Sequence, residues 1–249
     1  MDSSPEKKVA LVIGGNGGIG HSISKRLIND GFRVCATYFN NKNNIDSLEK
    51  YGEDVFLNFK CDVRLESEVK DVIDYIILKF RKIDIVVFTV SPSLNNKRIF
   101  DLTWDDYSEH VELQIKSIFF FVKTLGEFIR LKNRIKFIVI LSEYCIGKPP
   151  KGLSHYVTAK YAAMGMAKTM AAELAQYNCT VNMISPGMVE THLLDGLPPK
   201  LIEITADQNP MKRIAIPEDV SNLVSFLSSN ESDYLNAVHI NVNGGGVMF

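Results

Sequence analysis

The sequence predicts an α/β fold in which one doubly wound parallel sheet of about seven strands carries helices on both faces. Two observations carry that expectation. Short apolar runs rich in Val and Ile alternate with longer stretches whose apolar residues recur at helical spacing. No Pro/Gly/Ser-rich linker, internal repeat or low-complexity tract divides the 249 residues, and 46% hydrophobic content suffices for one large core. Strands that alternate with helices run parallel, because each return to the sheet is made by a crossover helix.

Along the chain, Val9–Ile13 is continuously apolar and suits a strand buried on both faces. Ile19–Asn29 then places Ile19, Ile23, Leu27 and Ile28 on one helix face, with Gly31 as a stop. Arg33–Thr37 and Val55–Phe59 read as the second and third strands. Glu66–Phe80 is the most regular helix, with Val69, Val72, Ile73, Ile76, Ile77 and Phe80 on one side. Strands over Ile83–Val90, Lys136–Leu141 and Thr180–Ile184 follow, separated by helices over Tyr107–Arg130 and His155–Tyr177. Pro217-Glu218-Asp219 opens a last helix to Ser228, with a preset φ and two carboxylates at the positive end of its dipole. Val238–Val242 closes the sheet. The whole is a single Rossmann-type domain over 1–249, with residues 1–8 as a polar tail. Such sheets bind ligands beyond the carboxyl ends of their strands.

Composition narrows the function classes. Charged residues make up 23% and the formal net charge is -1, so no basic field attracts nucleic acid. The longest apolar runs, near Ile85–Val90, Ile118–Val122 and Phe137–Leu141, fall short of the ~20 residues that span a bilayer. Val9–Ile13 is too short for a secretory signal, and a cytoplasmic protein without membrane partners is expected. Cys35, Cys61, Cys145 and Cys179 have no metal-like spacing and are expected as buried, reduced thiols; no metal site is expected.

Two motifs carry chemistry. The first strand runs directly into Gly14-Gly15-Asn16-Gly17-Gly18-Ile19-Gly20 and then into a helix. In that context backbone N–H groups and the helix dipole face a pyrophosphate without Cβ obstruction, although glycines alone would mark any tight turn. The second motif is Tyr156-Val157-Thr158-Ala159-Lys160, which puts Tyr156 and Lys160 on one helix face. A free phenol has a pKa of about 10. A neighbouring Lys⁺ is expected to lower it toward the working range for proton transfer.

With these pieces, the sequence resembles the short-chain dehydrogenase/reductase family, in its short non-extended branch and over essentially the whole chain. The matching segments are Gly14…Gly18-Ile19-Gly20, Cys61-Asp62-Val63, Tyr156-x-x-x-Lys160, Ser185-Pro186-Gly187 followed by Thr191, Pro217-Glu218-Asp219-Val220 and Asn243-Gly244-Gly245. The resemblance, within the family to its 3-oxoacyl-carrier-protein reductases, implies an oxidoreductase that passes hydride between a nicotinamide and a carbonyl carbon. Tyr156 would exchange the proton, with Lys160 assisting and also binding the nicotinamide ribose. It further implies dinucleotide contacts from Gly14, Asn16, Gly17, Gly18, Ile19, Gly20, Tyr38, Asp62, Val63, Thr89 and Val90. Pro186, Gly187, Val189 and Thr191 would cradle the nicotinamide, and 192–208 would form a substrate lid. A homotetramer or homodimer is implied, as is a small carbonyl or alcohol substrate, with a carrier-bound acyl group as one form.

Several positions depart from the family pattern. Ile13 stands where Thr is usual, and Phe88-Thr89-Val90-Ser91 replaces an Asn-rich segment. An apolar Ile13–Phe88 contact in place of a hydrogen-bonded pair would leave the fold intact. Gln114 aligns with the helix Asn that holds a water beside the Lys. The usual serine spacing from Tyr156 falls on Glu143, with Ser142 one residue earlier, so either residue is a candidate. His155, next to Tyr156 on the helix, faces about 100° away and is expected to be structural or substrate-facing, not a catalytic base. Tyr38, Phe39, Asn40 and Asn41 include neither an acid for a ribose 2′-hydroxyl nor an Arg for a 2′-phosphate. Lys42 lies close in sequence, which favours NADP(H) over NAD(H). Phe119-Phe120-Phe121 could face a partner or its own sheet. The alternative function is a dinucleotide-binding protein with little turnover, acting as a sensor or assembly partner.

Overall fold

The structure, a computed structural model, describes residues 7–131 and 133–248; the polar tail expected over 1–8 lies outside them except for its last two residues. Seven parallel strands form one sheet in the order β3-β2-β1-β4-β5-β6-β7. They are β1 Val9–Ile13, β2 Arg33–Tyr38, β3 Phe56–Lys60, β4 Ile85–Phe88, β5 Lys136–Ile140, β6 Thr180–Pro186 and β7 His239–Val242. The helices are α1 Gly18–Asn29, α2 Glu66–Phe80, α3 Trp104–Thr124, α4 Gly126–Arg130, α5 Ser154–Leu174, α6 Pro199–Gln208 and α7 Pro217–Ser228. β2 returns to β3 through a 3₁₀ segment, Ile45–Tyr51, instead of a full helix.

The pleat sorts the core into two layers. From β1, Val9, Leu11 and Ile13 enter one apolar cluster with residues of α2, α3 and α5. Ala10 and Val12 enter the other, with residues of α1 and α7. Both β1 clusters are fully shielded, as a continuous apolar run requires. The four cysteines are buried and free. Phe121 is fully buried while Phe119 is exposed, so the aromatic run splits between core and surface. Phe88 contacts Phe121 edge-on and stacks on Phe137.

Element boundaries moved where tertiary bonds outweighed periodicity. The helix expected from Tyr107 begins three residues earlier, because Thr103 Oγ1 accepts from the Asp106 N–H and the Asp106 carboxylate accepts from the Thr103 N–H. It also breaks at Leu125, which leaves α4 as a separate turn. The helix expected to Tyr177 ends at Leu174 and tightens into a 3₁₀ turn, closed by Asn178 at φ 60°. α6 lies inside the expected lid and buries no residue.

β1 feeds β2 and β3 on one side, and the chain then crosses to β4 on the other. This reversal opens a crevice at the carboxyl ends of β1 and β4, where the site lies.

Candidate active site

The crevice begins at the glycine turn. Gly14 adopts φ 89°, a left-handed conformation that favours glycine, and its N–H donates to Thr37 Oγ1 at 3.1 Å. A Cβ on Gly18 would meet Thr191 Cγ2 at 2.7 Å, and one on Gly20 would run into the Gly14 carbonyl. Only bare backbone therefore lets α1 start this close to β1. The Asn16 carboxamide oxygen accepts from the N–H groups of Asn44 (3.0 Å) and Ile45 (3.2 Å), which pins the loop after β2 beside the turn.

Ile13 and Phe88 are register partners across β1 and β4, and both are buried in one cluster. The hydroxyl missing at Ile13 is supplied from the opposite strand. Thr89 Oγ1 donates to the carbonyls of Ile13 (2.8 Å) and Gly14 (3.1 Å). The seam therefore keeps a hydrogen bond that the sequence reading expected to become purely apolar.

A cleft of about 420 Å³ extends from the turn across the ends of β2 and β3. Gly14, Asn16, Gly17, Tyr38, Asp62, Val63, Thr89 and Val90 all line it. So does Arg64, which the sequence reading passed over. Its Nε and Nη2 grip the Asp62 carboxylate at 2.8 and 2.7 Å, and its guanidinium lies 5.3 Å from the Phe39 ring centre. That grip holds the Asp62 carboxyl below its ordinary range. Lys42 is not among the lining residues; it pairs with Glu49 at 2.9 Å and Asp46 at 3.1 Å. Being neighbours in sequence did not bring it to the cleft, because two carboxylates of the 3₁₀ segment hold it.

Further along, at the end of β5, lies a cavity of about 210 Å³. Ile19, Ser142, Tyr156, Pro186, Gly187, Val189 and Thr191 line it, together with Leu193, Leu194, Leu197 and Leu201 from the segment that covers it. Tyr156 and Lys160 come from successive turns of α5, and both are buried. Ser142 and Glu143, the two serine-position candidates, both line the cavity, and the Ser142 side chain is the one that acts on Tyr156 to favour the ionised phenol. Glu143–Cys145 form a 3₁₀ turn between Ser142 and the loop that leads to α5. The Glu143 side chain turns to Asn243, and burial raises its carboxyl above the ordinary value.

The electrostatics differ from the simple expectation for a Tyr–Lys pair. Burial, the largest effect, pushes the Tyr156 phenol up rather than down, with the Ser142 bond opposing it. Burial also pulls Lys160 down to about 8. Its Nζ donates to the Ile140 carbonyl at 2.9 Å and lies 5.7 Å from the centre of the Tyr156 ring. The lysine is thus beside the ring, while its hydrogen bond in this state goes to backbone.

Gln114 is buried on α3, and its amide nitrogen has no partner. One turn earlier, His110 packs edge-on against His155 at 4.5 Å and faces Tyr156 at 6.1 Å. Burial pulls His110 down to about 4 and lowers His155 as well. Burial thus favours the neutral form of both rings. His155 is buried and is not among the residues that line the cavity at the end of β5. His110 was not singled out from sequence; its only signal is its spacing of four from Gln114.

With seven parallel strands, a glycine turn at the switch point and a buried Tyr–Lys pair beneath a leucine-lined cover, the chain can be placed. It belongs to the short-chain dehydrogenase/reductase family and is an NAD(P)-dependent oxidoreductase; the profile described as enoyl-(acyl carrier protein) reductase matches residues 14–246. Among its relatives is the 3-oxoacyl-[acyl-carrier-protein] reductase FabG of Staphylococcus aureus, 30% identical over 97% of this chain and 98% of that protein. The FabG of Thermotoga maritima is 29% identical over 98% and 99% of the two chains. Among solved structures, ligand-free aldohexose dehydrogenase AldT of Thermoplasma acidophilum superposes with a TM-score of 0.84 at 25% identity, covering 96% of this chain and 94% of that one. ElxO with NADP bound reaches 0.87 at 23% identity, over 96% and 98%. No helix among the described residues is long and apolar enough to cross a membrane.

Proposed function

We propose that this protein reduces a ketone, or oxidises the corresponding alcohol, with Tyr156 as the proton donor and acceptor. The observation that carries this reading is that Ser142 and Tyr156 line one cavity while the buried Lys160 stands behind them, its Nζ 5.7 Å from the centre of the Tyr156 ring.

The dinucleotide fits the groups that face the cleft. The Gly14–Gly20 turn opens α1 and would offer backbone N–H groups and the positive end of the helix dipole to a pyrophosphate, with Asp62 and Val63 bounding the adenine end. Pro186, Gly187, Val189 and Thr191 flank the nicotinamide end, where the cofactor supplies a hydride donor or acceptor. As a substrate carbonyl oxygen gains negative charge, the Tyr156 hydroxyl donates its proton to it. The Ser142 hydroxyl donates a second hydrogen bond to the same oxygen. The Lys160 ammonium steadies the resulting phenolate, and Gln114, with its free amide nitrogen, holds a water on the route that reprotonates the lysine.

NADP(H) is favoured over NAD(H). No carboxylate projects from Tyr38–Asn41 to repel a 2′-phosphate, and Arg64 is the cation that lines the cleft. The leucine-lined cavity suits an apolar chain next to the carbonyl, and a carrier-bound 3-oxoacyl group is one such substrate. A cytoplasmic homodimer or homotetramer is the expected assembly.

Titration with NADPH and NADH, read by fluorescence and thermal shift, tests the cofactor. Tyr156→Phe tests the chemistry. The variant should bind the dinucleotide as the wild type does and lose at least about a hundredfold in turnover on a ketone panel. Full turnover in that variant would show that the proton comes from elsewhere. Binding of neither dinucleotide would leave the non-catalytic alternative in its place.

A further inference from the structure

Behind the catalytic cavity lies a second cavity of about 470 Å³, bounded by the end of α6, the stretch from Met211 to Ala215 and the loop after β7. Glu143, Gly187, Met188 and Thr205 line both cavities, so Glu143 stands in the wall between them. The two sides differ in character. The catalytic side is faced by leucines, and the rear side by carboxamides, among them Asn209, Asn241 and Asn243, and by Arg213 and Asp219, which pair with each other.

The Glu143 carboxyl accepts a hydrogen bond from Asn243 and forms no ion pair with any Lys, Arg or His among the described residues. An ionised carboxylate offers about four acceptor sites. Glycines flank it. A Cβ on Gly187 would stand 3.3 Å from Oε2, and one on Gly246 would stand 3.4 Å away. The Asn241 carboxamide oxygen, at the same rear cavity, is buried without a donor. One buried acceptor without a donor and one carboxylate with acceptor sites to spare thus border one chamber, and the unpartnered acceptor costs free energy until a donor arrives.

We propose that Glu143 selects substrates in which a hydroxyl or ammonium group lies within a few bonds of the reacting carbon, with an apolar chain on the other side. The inference rests on the oxidoreductase reading, which puts the reacting carbon beside Tyr156 and Ser142, next in sequence to Glu143. An ionised Glu143 accepts a hydrogen bond from such a donor and repels a carboxylate at the same place. The rear cavity gives the polar end of the molecule room.

The test compares a vicinal diol with the mono-alcohol of equal chain length, bound to the NADP⁺-loaded protein and followed by calorimetry. The corresponding hydroxyketone and plain ketone are compared by kcat/KM. The wild type should prefer the donor-bearing partner at least about tenfold in both assays, and Glu143→Gln should abolish most of that ratio. Equal binding of the two alcohols by the wild type, or an unchanged ratio in Glu143→Gln, overturns the proposal. A melting curve checks that the isosteric variant folds, and Glu143→Leu gives a second comparison. Should neither ketone turn over while the binding preference still depends on Glu143, the selection stands and the ketone-reduction reading falls.

Discussion

Lys160 holds its proton less firmly than an exposed lysine, about 8 against 10.5, because burial penalises the ammonium. The catalytic reading needs that ammonium. Reductive kcat/KM should therefore be level below pH 8 and fall tenfold per unit above it, in a rate profile taken with the dinucleotide saturating. A profile flat to pH 10 would mean that the phenol draws on another group. Stability should move the opposite way. The folded lysine has the lower pKa, so the cost of burying its charge is fully present below about 8 and fades between 8 and 10.5. Lys160→Met should accordingly raise Tm more at pH 7 than at pH 10. Glu143 has its own signature. Its folded carboxyl is raised, so its charge costs stability above the ordinary value of 4.5, and Glu143→Gln should raise Tm at pH 8 and much less at pH 4.5. Equal melting shifts at both pH values would contradict that account.

Among the elements, α3 shows what periodicity misses. Apolar spacing detects the buried stripe of a helix, and the first turn of α3, with Trp104 exposed, has none. The signal there was the Thr103–Asp106 spacing, a cap and not a stripe. Thr103→Ala should cost about 1 kcal/mol in denaturant unfolding; no change would mean that the cap is idle. α6 escaped for a related reason, since it buries no residue and so leaves no pattern to read. The glycine turn was legible because a backbone constraint acts at single positions. Gly20→Ala would drive a methyl group into the Gly14 carbonyl and should cost about 1–3 kcal/mol together with dinucleotide affinity. Normal affinity in that variant would show that α1 can shift freely. Ser142 and Glu143 could not be told apart from spacing, because both stand at the start of a turn whose direction only the fold decides. Lys42 misled because its partners, Asp46 and Glu49, lie later in the chain.

At the scale of the molecule, the two apolar layers share one sheet, and the aromatic contacts of Phe88, Phe121 and Phe137 join β4, α3 and β5 beneath the site. Phe137 is fully buried, so Phe137→Ala should cost about 3–5 kcal/mol and lower Tm without changing the dinucleotide preference. A smaller loss, measured by denaturant titration, would mean that the layer collapses around the gap. The Thr89 hydroxyl, bonded to two successive carbonyls of the neighbouring strand, acts as a rivet through the floor of the crevice. Against that fixed floor, the stretch from Leu193 to Leu201 buries none of its residues, and it shares the rim of the cavity at the end of β5 with Leu94, Asn96 and Pro150 from other loops.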